Sequence, residues 1–179
     1  MPPGADLVTL LGDEMAGLVA AVGRVSTAEL GRYAIVGGVA VTVRLGAAHR
    51  ATSDVDVDVV SAVSGKRVGA RFASPAALVA MKLHAIEDRS PTSGIDKRAG
   101  DGSDIFQLLV HLDADGRLRS ELAGLGPNLR GLVARATDRV LVSGAARTRS
   151  WMRSGDAAAA AVTVDELRSV DEPLLAALT

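Results

Sequence analysis

Apolar residues recur at helical spacing over residues 6–22, so the chain is expected to open with an amphipathic helix that stops near Gly23. Residues 33–36 are a short apolar run ending in Gly37-Gly38. This reads as a buried strand entering a tight turn, and residues 39–45 then read as a short helix closed by Gly46. Over residues 54–59 the period falls to two, with Asp54, Asp56 and Asp58 alternating with valines at 55, 57 and 59. A strand sends successive side chains to opposite faces, so this segment predicts one valine face for the core and one face of carboxylates. Residues 61–69 read as a polar loop. Ser74-Pro75 is a helix start: serine offers a cap oxygen, and proline fits the first helical position, where its missing N–H would be unpaired anyway. That helix is predicted to run to about Asp88, followed by a mobile Ser/Gly/Pro-rich loop over 89–102 and a helix over 103–112. Residues 128–142 and 165–178 also carry helical patterns, with a looser Gly/Ala/Ser stretch between them and no internal repeat.

Composition narrows the picture. A chain of 179 residues with 48% hydrophobic and 23% charged residues suits one folded unit with a sizeable core. Aromatic residues are only 2%, so alanine, valine and leucine must fill that core, and ring stacking is a weak basis for ligand binding. With no cysteine, disulfides, thiolate metal sites and cysteine nucleophiles are excluded. No run approaches the roughly 18 apolar residues of a membrane span, and the N-terminal segment lacks a signal-peptide pattern, so a cytoplasmic protein without membrane contact is expected. The net charge of −1 hides an uneven distribution. Residues 130–153 hold six arginines (130, 135, 139, 147, 149, 153) against Asp138, a local net of +5, whereas residues 156–172 carry a local net of −4. The basic segment is either a solvated surface or a patch for RNA phosphates.

Several residues could carry chemistry. Gly37 and Gly38, at a strand-to-helix turn, let a ligand approach the backbone, and the amides opening the next helix can hold a phosphate. The carboxylates at 54, 56 and 58 repel one another on a shared face, which a divalent metal with oxygen preference relieves; the bland alternative is a charge-guarded edge strand. Lys82 falls in the middle of the arc formed by Leu78, Val79, Ala85 and Ile86, so it either snorkels from the core or meets a charged ligand in a cleft, with Arg89 as a helper. Asp104, three residues after Asp101 near the expected helix start, reads first as a cap. Lys97 and Arg98 precede it in the expected loop and either clamp a triphosphate or are simply solvated. The histidines at 49, 84 and 111 show no metal-ligand spacing.

The series GG, RxTxDxD, SPxxLxxxKLxA and KRxxDxxD, over residues 33–109, resembles the AbiEii/AbiGii-like nucleotidyltransferases, including the MenT-type toxins, of the polymerase-beta-like superfamily. The resemblance rests on Gly37-Gly38, Arg50, Thr52, Asp54, Asp56, Ser74-Pro75, Lys82-Leu83, Lys97-Arg98 and Asp104. It implies an α/β (α+β) fold, with a small mixed sheet packed by helices in a nucleotidyltransferase core over residues 1–112 and a helical C-terminal extension over 113–179 packed with it. It implies Mg²⁺ on Asp54 and Asp56, nucleotide phosphates on Gly37, Gly38 and Lys82, and Asp104 as the distal acid of the catalytic set. The expected partners are an NTP, tRNA and a cognate antitoxin, with no DNA. Only fifteen residues separate Asp58 from Ser74, so a smaller sheet than in relatives is expected. Two further readings stand beside the tRNA-directed toxin: transfer to a protein or small-molecule hydroxyl, and a degenerate, non-catalytic binding or regulatory module.

Overall fold

The structure, a computed structural model, describes residues 6–10, 13–28, 34–46, 55–61, 64–65, 67–89, 95–155 and 158–179. The chain divides into two compact units, Met1–Ser74 and Pro75–Thr179.

Among the described residues of the first unit, β1 (Asp6–Leu10), β2 (Val55–Ser61) and β3 (Arg67–Phe72) form a three-stranded sheet in that order. β1 and β2 are parallel, β2 and β3 antiparallel. A parallel pair requires a crossover. Here that connection carries α1 (Asp13–Thr27), which packs on β2 and β3, and α2 (Gly38–Gly46), which packs on β1. The core is small and aliphatic, as the composition requires, with Val8, Val19, Val22, Val41, Val43, Val68 and Ala70 buried around Phe72.

Three local expectations are corrected in this unit. The helical pattern over 6–22 splits into a strand and a helix, because a short apolar run fits either period and pairing with β2 decides which forms. The expected strand over 33–36 contributes a single bridge, Ile35 to Phe72, with Tyr33 outside the described residues. Gly37, at φ 85°, turns the chain into α2, and its carbonyl accepts from the amides of Ala40 and Val41 at 3.1 and 3.2 Å. The expected loop over 61–69 holds the start of β3, whose Val68, Ala70 and Phe72 are buried while Arg67 and Gly69 are exposed. Small residues and a glycine in that strand give it little local preference, so cross-strand pairing with β2 supplies it.

The second unit is helical among its described residues: α3 (Pro75–Asp88), α4 (Ile95–Leu112), α5 (Arg117–Ala123), α6 (Pro127–Thr137), α7 (Ala145–Gly155) and α8 (Val164–Leu178). A π-helical turn (Asp138–Val142) follows α6, and a 3-10 turn (Ala158–Ala161) precedes α8. The helix start at Ser74-Pro75 and the end at Asp88 match the sequence pattern. α4 begins at Ile95, so the loop expected over 89–102 is mostly helix, and the looser stretch between the last two predicted helices contains α7. In both places packing outweighs local composition: α4 and α7 pack extensively on each other. The buried face of α3, with Leu78, Val79, Leu83 and Ile86, packs against α4, α5 and α6. Along the chain, the division into compact units falls between Ser74 and Pro75.

Candidate functional site

Lys82 lies mid-way along α3, where helical spacing puts it among buried residues; it is only 7% exposed. Burying an ammonium is costly unless it is paired. Its partners come from α4, where Asp101 and Asp104, one turn apart, share a face. Lys82 Nζ lies 2.8 Å from Asp101 Oδ1 and 2.5 Å from Asp104 Oδ2. Arg89, at the end of α3, closes the group through an ion pair to Asp101 Oδ2. The side chains of Lys82 and Asp101 are 9% and 13% exposed, against 31% for Asp104, so the cluster opens to solvent on the Asp104 side.

Burial by itself would lower the Lys82 pKa. The hydrogen bonds it donates to Asp101 and Asp104, and the attraction of both carboxylates, outweigh that cost and raise it above the ordinary lysine value. The group is therefore a fixed cation near neutral pH. An ammonium has three donors, and two are used here.

Asp104 is thus not a cap. α4 starts nine positions earlier, and Asp104 reaches Lys82 from mid-helix. Asp101 belongs to the same cluster, and the sequence signal for it is the i, i+3 spacing of the two acids. Lys97 is exposed. Arg98, expected beside it as a phosphate clamp in a loop, is instead buried: it donates to the carbonyls of Ile86 and Arg89 and so holds the end of α3 to α4.

In the first unit, Gly37 and Gly38 are exposed at the start of α2, with open space where a Cβ would stand. The Gly37 carbonyl takes the amides of Ala40 and Val41, so among the described residues the amides of Gly38 and Val39 are the ones this exposed turn offers to an anion. β2 is the central strand, which removes the edge-strand reading of its acids. By register, positions 56 and 58 share the sheet face of Arg71 and Gly69, and positions 55, 57 and 59 share that of the buried Phe72, Ala70 and Val68. Arg50, Thr52 and Asp54 lie outside the described residues. Carboxylates at alternate positions on one strand face are the oxygen-donor chemistry that Mg²⁺ takes. No group of three or more potential metal ligands occurs among the described residues.

The basic stretch over 130–153 is partly structural. Arg130 donates to the Ala123 carbonyl at 3.3 Å and Arg149 to that of Val162 at 3.1 Å, while Arg135 and Arg153 are exposed. Among the described residues no helix is long and apolar enough to cross a membrane. No protein-family model, curated protein or solved structure matches the chain.

Proposed function

We propose that the chain is a Mg²⁺-dependent nucleotidyltransferase toxin that transfers a nucleoside monophosphate from an NTP to the 3′ end of tRNA and is restrained by a cognate antitoxin. The observation that carries this reading is Lys82, a buried, permanently charged ammonium held by Asp101 and Asp104 with one donor left over. A lysine held this way offers a pre-oriented cation to a phosphate oxygen without having to be ordered on binding. On the family resemblance, the amides of Gly38 and Val39 that open α2 would add donors for phosphate oxygens. Asp54 and Asp56 would hold Mg²⁺, which when bound neutralises charge on the reacting phosphate and helps align the attacking oxygen. In the transfer the acceptor hydroxyl bonds to the α-phosphorus, the bond to the β-phosphate oxygen breaks, pyrophosphate leaves and the hydroxyl proton passes to solvent or a carboxylate.

The test is incubation of the purified chain with each labelled NTP, tRNA and Mg²⁺, comparing Asp56→Ala, Lys82→Ala and the double variant. Each single change should abolish label transfer, and the double should be no worse than either single, because groups serving one step are not additive. Unchanged transfer in Asp56→Ala, in a variant that unfolds like the wild type, removes the proposal.

A second reading, the non-catalytic module, is favoured by one observation: the positive charge of Lys82 is already compensated by two carboxylates. Calorimetric heat with NTP and Mg²⁺ but no label on RNA, protein or small molecules would select it. Label on protein or a small molecule in place of tRNA would keep the chemistry and change the acceptor.

A further inference from the structure

Beside the Lys82 cluster, the helical unit holds a cavity of about 420 Å³ whose lining includes Arg89, Arg98, Arg139, Arg147, Trp151 and Glu87. Four guanidiniums face one lining carboxylate, and a net positive charge remains even with Asp101 paired to Arg89 from outside the lining. Such a concentration of like charge is unfavourable without an anion, and guanidinium forks are suited to oxyanions. The donor inventory points the same way. Each guanidinium has five N–H donors. Arg89 spends donors only on Asp101, Arg139 pairs only with Glu87 at 3.4 Å, and Arg147 donates only to the Arg139 carbonyl at 3.2 Å. Most donors of these three side chains are unused among the described residues.

Trp151 arranges this wall. The guanidinium carbons of Arg98 and Arg147 each lie 5.3 Å from its ring centroid, within cation–π range. The ring thus serves to hold arginines in place more than to stack a base. Arg98 is buried and anchored to the α3 carbonyls, so it is a fixed part of the wall, whereas Arg139 and Arg147 are exposed at the mouth.

From this geometry we infer that the cavity between the end of α3, α4, the π-helical turn and α7 is a binding site for phosphoryl oxygens. A tetrahedral phosphate offers several oxygens to guanidiniums arriving from different directions, which a single planar carboxylate does not. Two sources share this chemistry: the polyphosphate chain of a nucleotide and the backbone of an RNA strand. Arg89 belongs both to this lining and to the Lys82 cluster, so the bound phosphate would lie next to that cluster. The choice of these two sources rests on the proposed transfer reading; the binding itself is measured separately.

The chain has one tryptophan, and it lines the cavity, so intrinsic fluorescence reports occupancy directly. The probes are tripolyphosphate, an NTP, a short single-stranded RNA and an acidic peptide, with chloride at matched ionic strength as control. A saturable fluorescence change is expected with tripolyphosphate or RNA and absent with chloride. The Arg139→Gln/Arg147→Gln double variant should weaken it by about tenfold or more while far-UV circular dichroism is unchanged. Single Arg139→Gln, at an exposed site, gives the same reading should the double variant not fold. Tighter binding of tripolyphosphate and NTP than of RNA assigns the site to the nucleotide; tighter RNA binding that falls steeply with salt assigns it to the backbone. No saturable change with any probe, equal binding by the glutamine variants, or stronger binding of an acidic peptide than of phosphate overturns the inference. Asp56→Ala should leave this titration intact, so a chain that binds phosphate here yet transfers nothing refutes the transfer reading and not the site.

Discussion

Replacing Asp171 by asparagine should stabilise the protein and flatten its pH dependence. Asp171 sits on α8 at 0% exposure, and among the described residues neither carboxylate oxygen has a hydrogen-bond partner. Burial pushes its pKa up from 3.8 to about 8. The folded state therefore keeps a proton that the unfolded chain, titrating near ~3.9, has released. Between these values the folded state binds more protons, so the stabilisation is complete below the unfolded pKa and is lost as pH rises through about 8. About four pKa units at ~1.4 kcal/mol each give a loss of roughly 6 kcal/mol across the window, of which about 4 has gone by pH 7. That is a large part of the ~5–15 kcal/mol available to an ordinary domain. Asparagine keeps the shape and cannot ionise. Urea unfolding of both proteins at intervals from pH 4 to 9 should show a gap in favour of Asp171→Asn that opens steadily with pH. A gap that stays constant over that range would refute the assignment of a buried, neutral carboxyl.

Two further outcomes can be checked by thermal or chemical unfolding. Gly144→Ala should cost about 2 kcal/mol or more, because a Cβ there would run into the Arg139 carbonyl where the chain leaves the π-helical turn. Thr163→Ala should cost about 1 kcal/mol, since the Thr163 hydroxyl accepts from the Glu166 amide at 3.1 Å and anchors the capping box that starts α8; an unchanged midpoint would show that the cap is dispensable.

Local pattern determined more of this protein where the chemistry of a few adjacent residues acts without help. Ser74-Pro75 starts α3 because a cap oxygen and a fixed φ suffice. The two-residue period through Val55, Val57 and Val59 marked β2 as a strand, and Lys82 could be placed among buried residues from helical spacing alone. What fills the space around each residue belonged to the tertiary structure. Residues 6–10 became a strand because β2 offers a parallel partner, and the stretch rich in glycine and charge before Asp104 became helix because α7 covers it. Lys82 and Asp104 are twenty-two positions apart, and only the packing of α3 on α4 turned an expected cap into an ion-pair partner. Arg98 and Asp171 show the same limit most plainly: one was expected in a loop as a triphosphate clamp or a solvated cation and the other only as part of an acidic segment, yet both are buried. A charge in a sequence has no dielectric surroundings; folding assigns them, and with them whether the group stays ionised, finds a partner or gives up its charge.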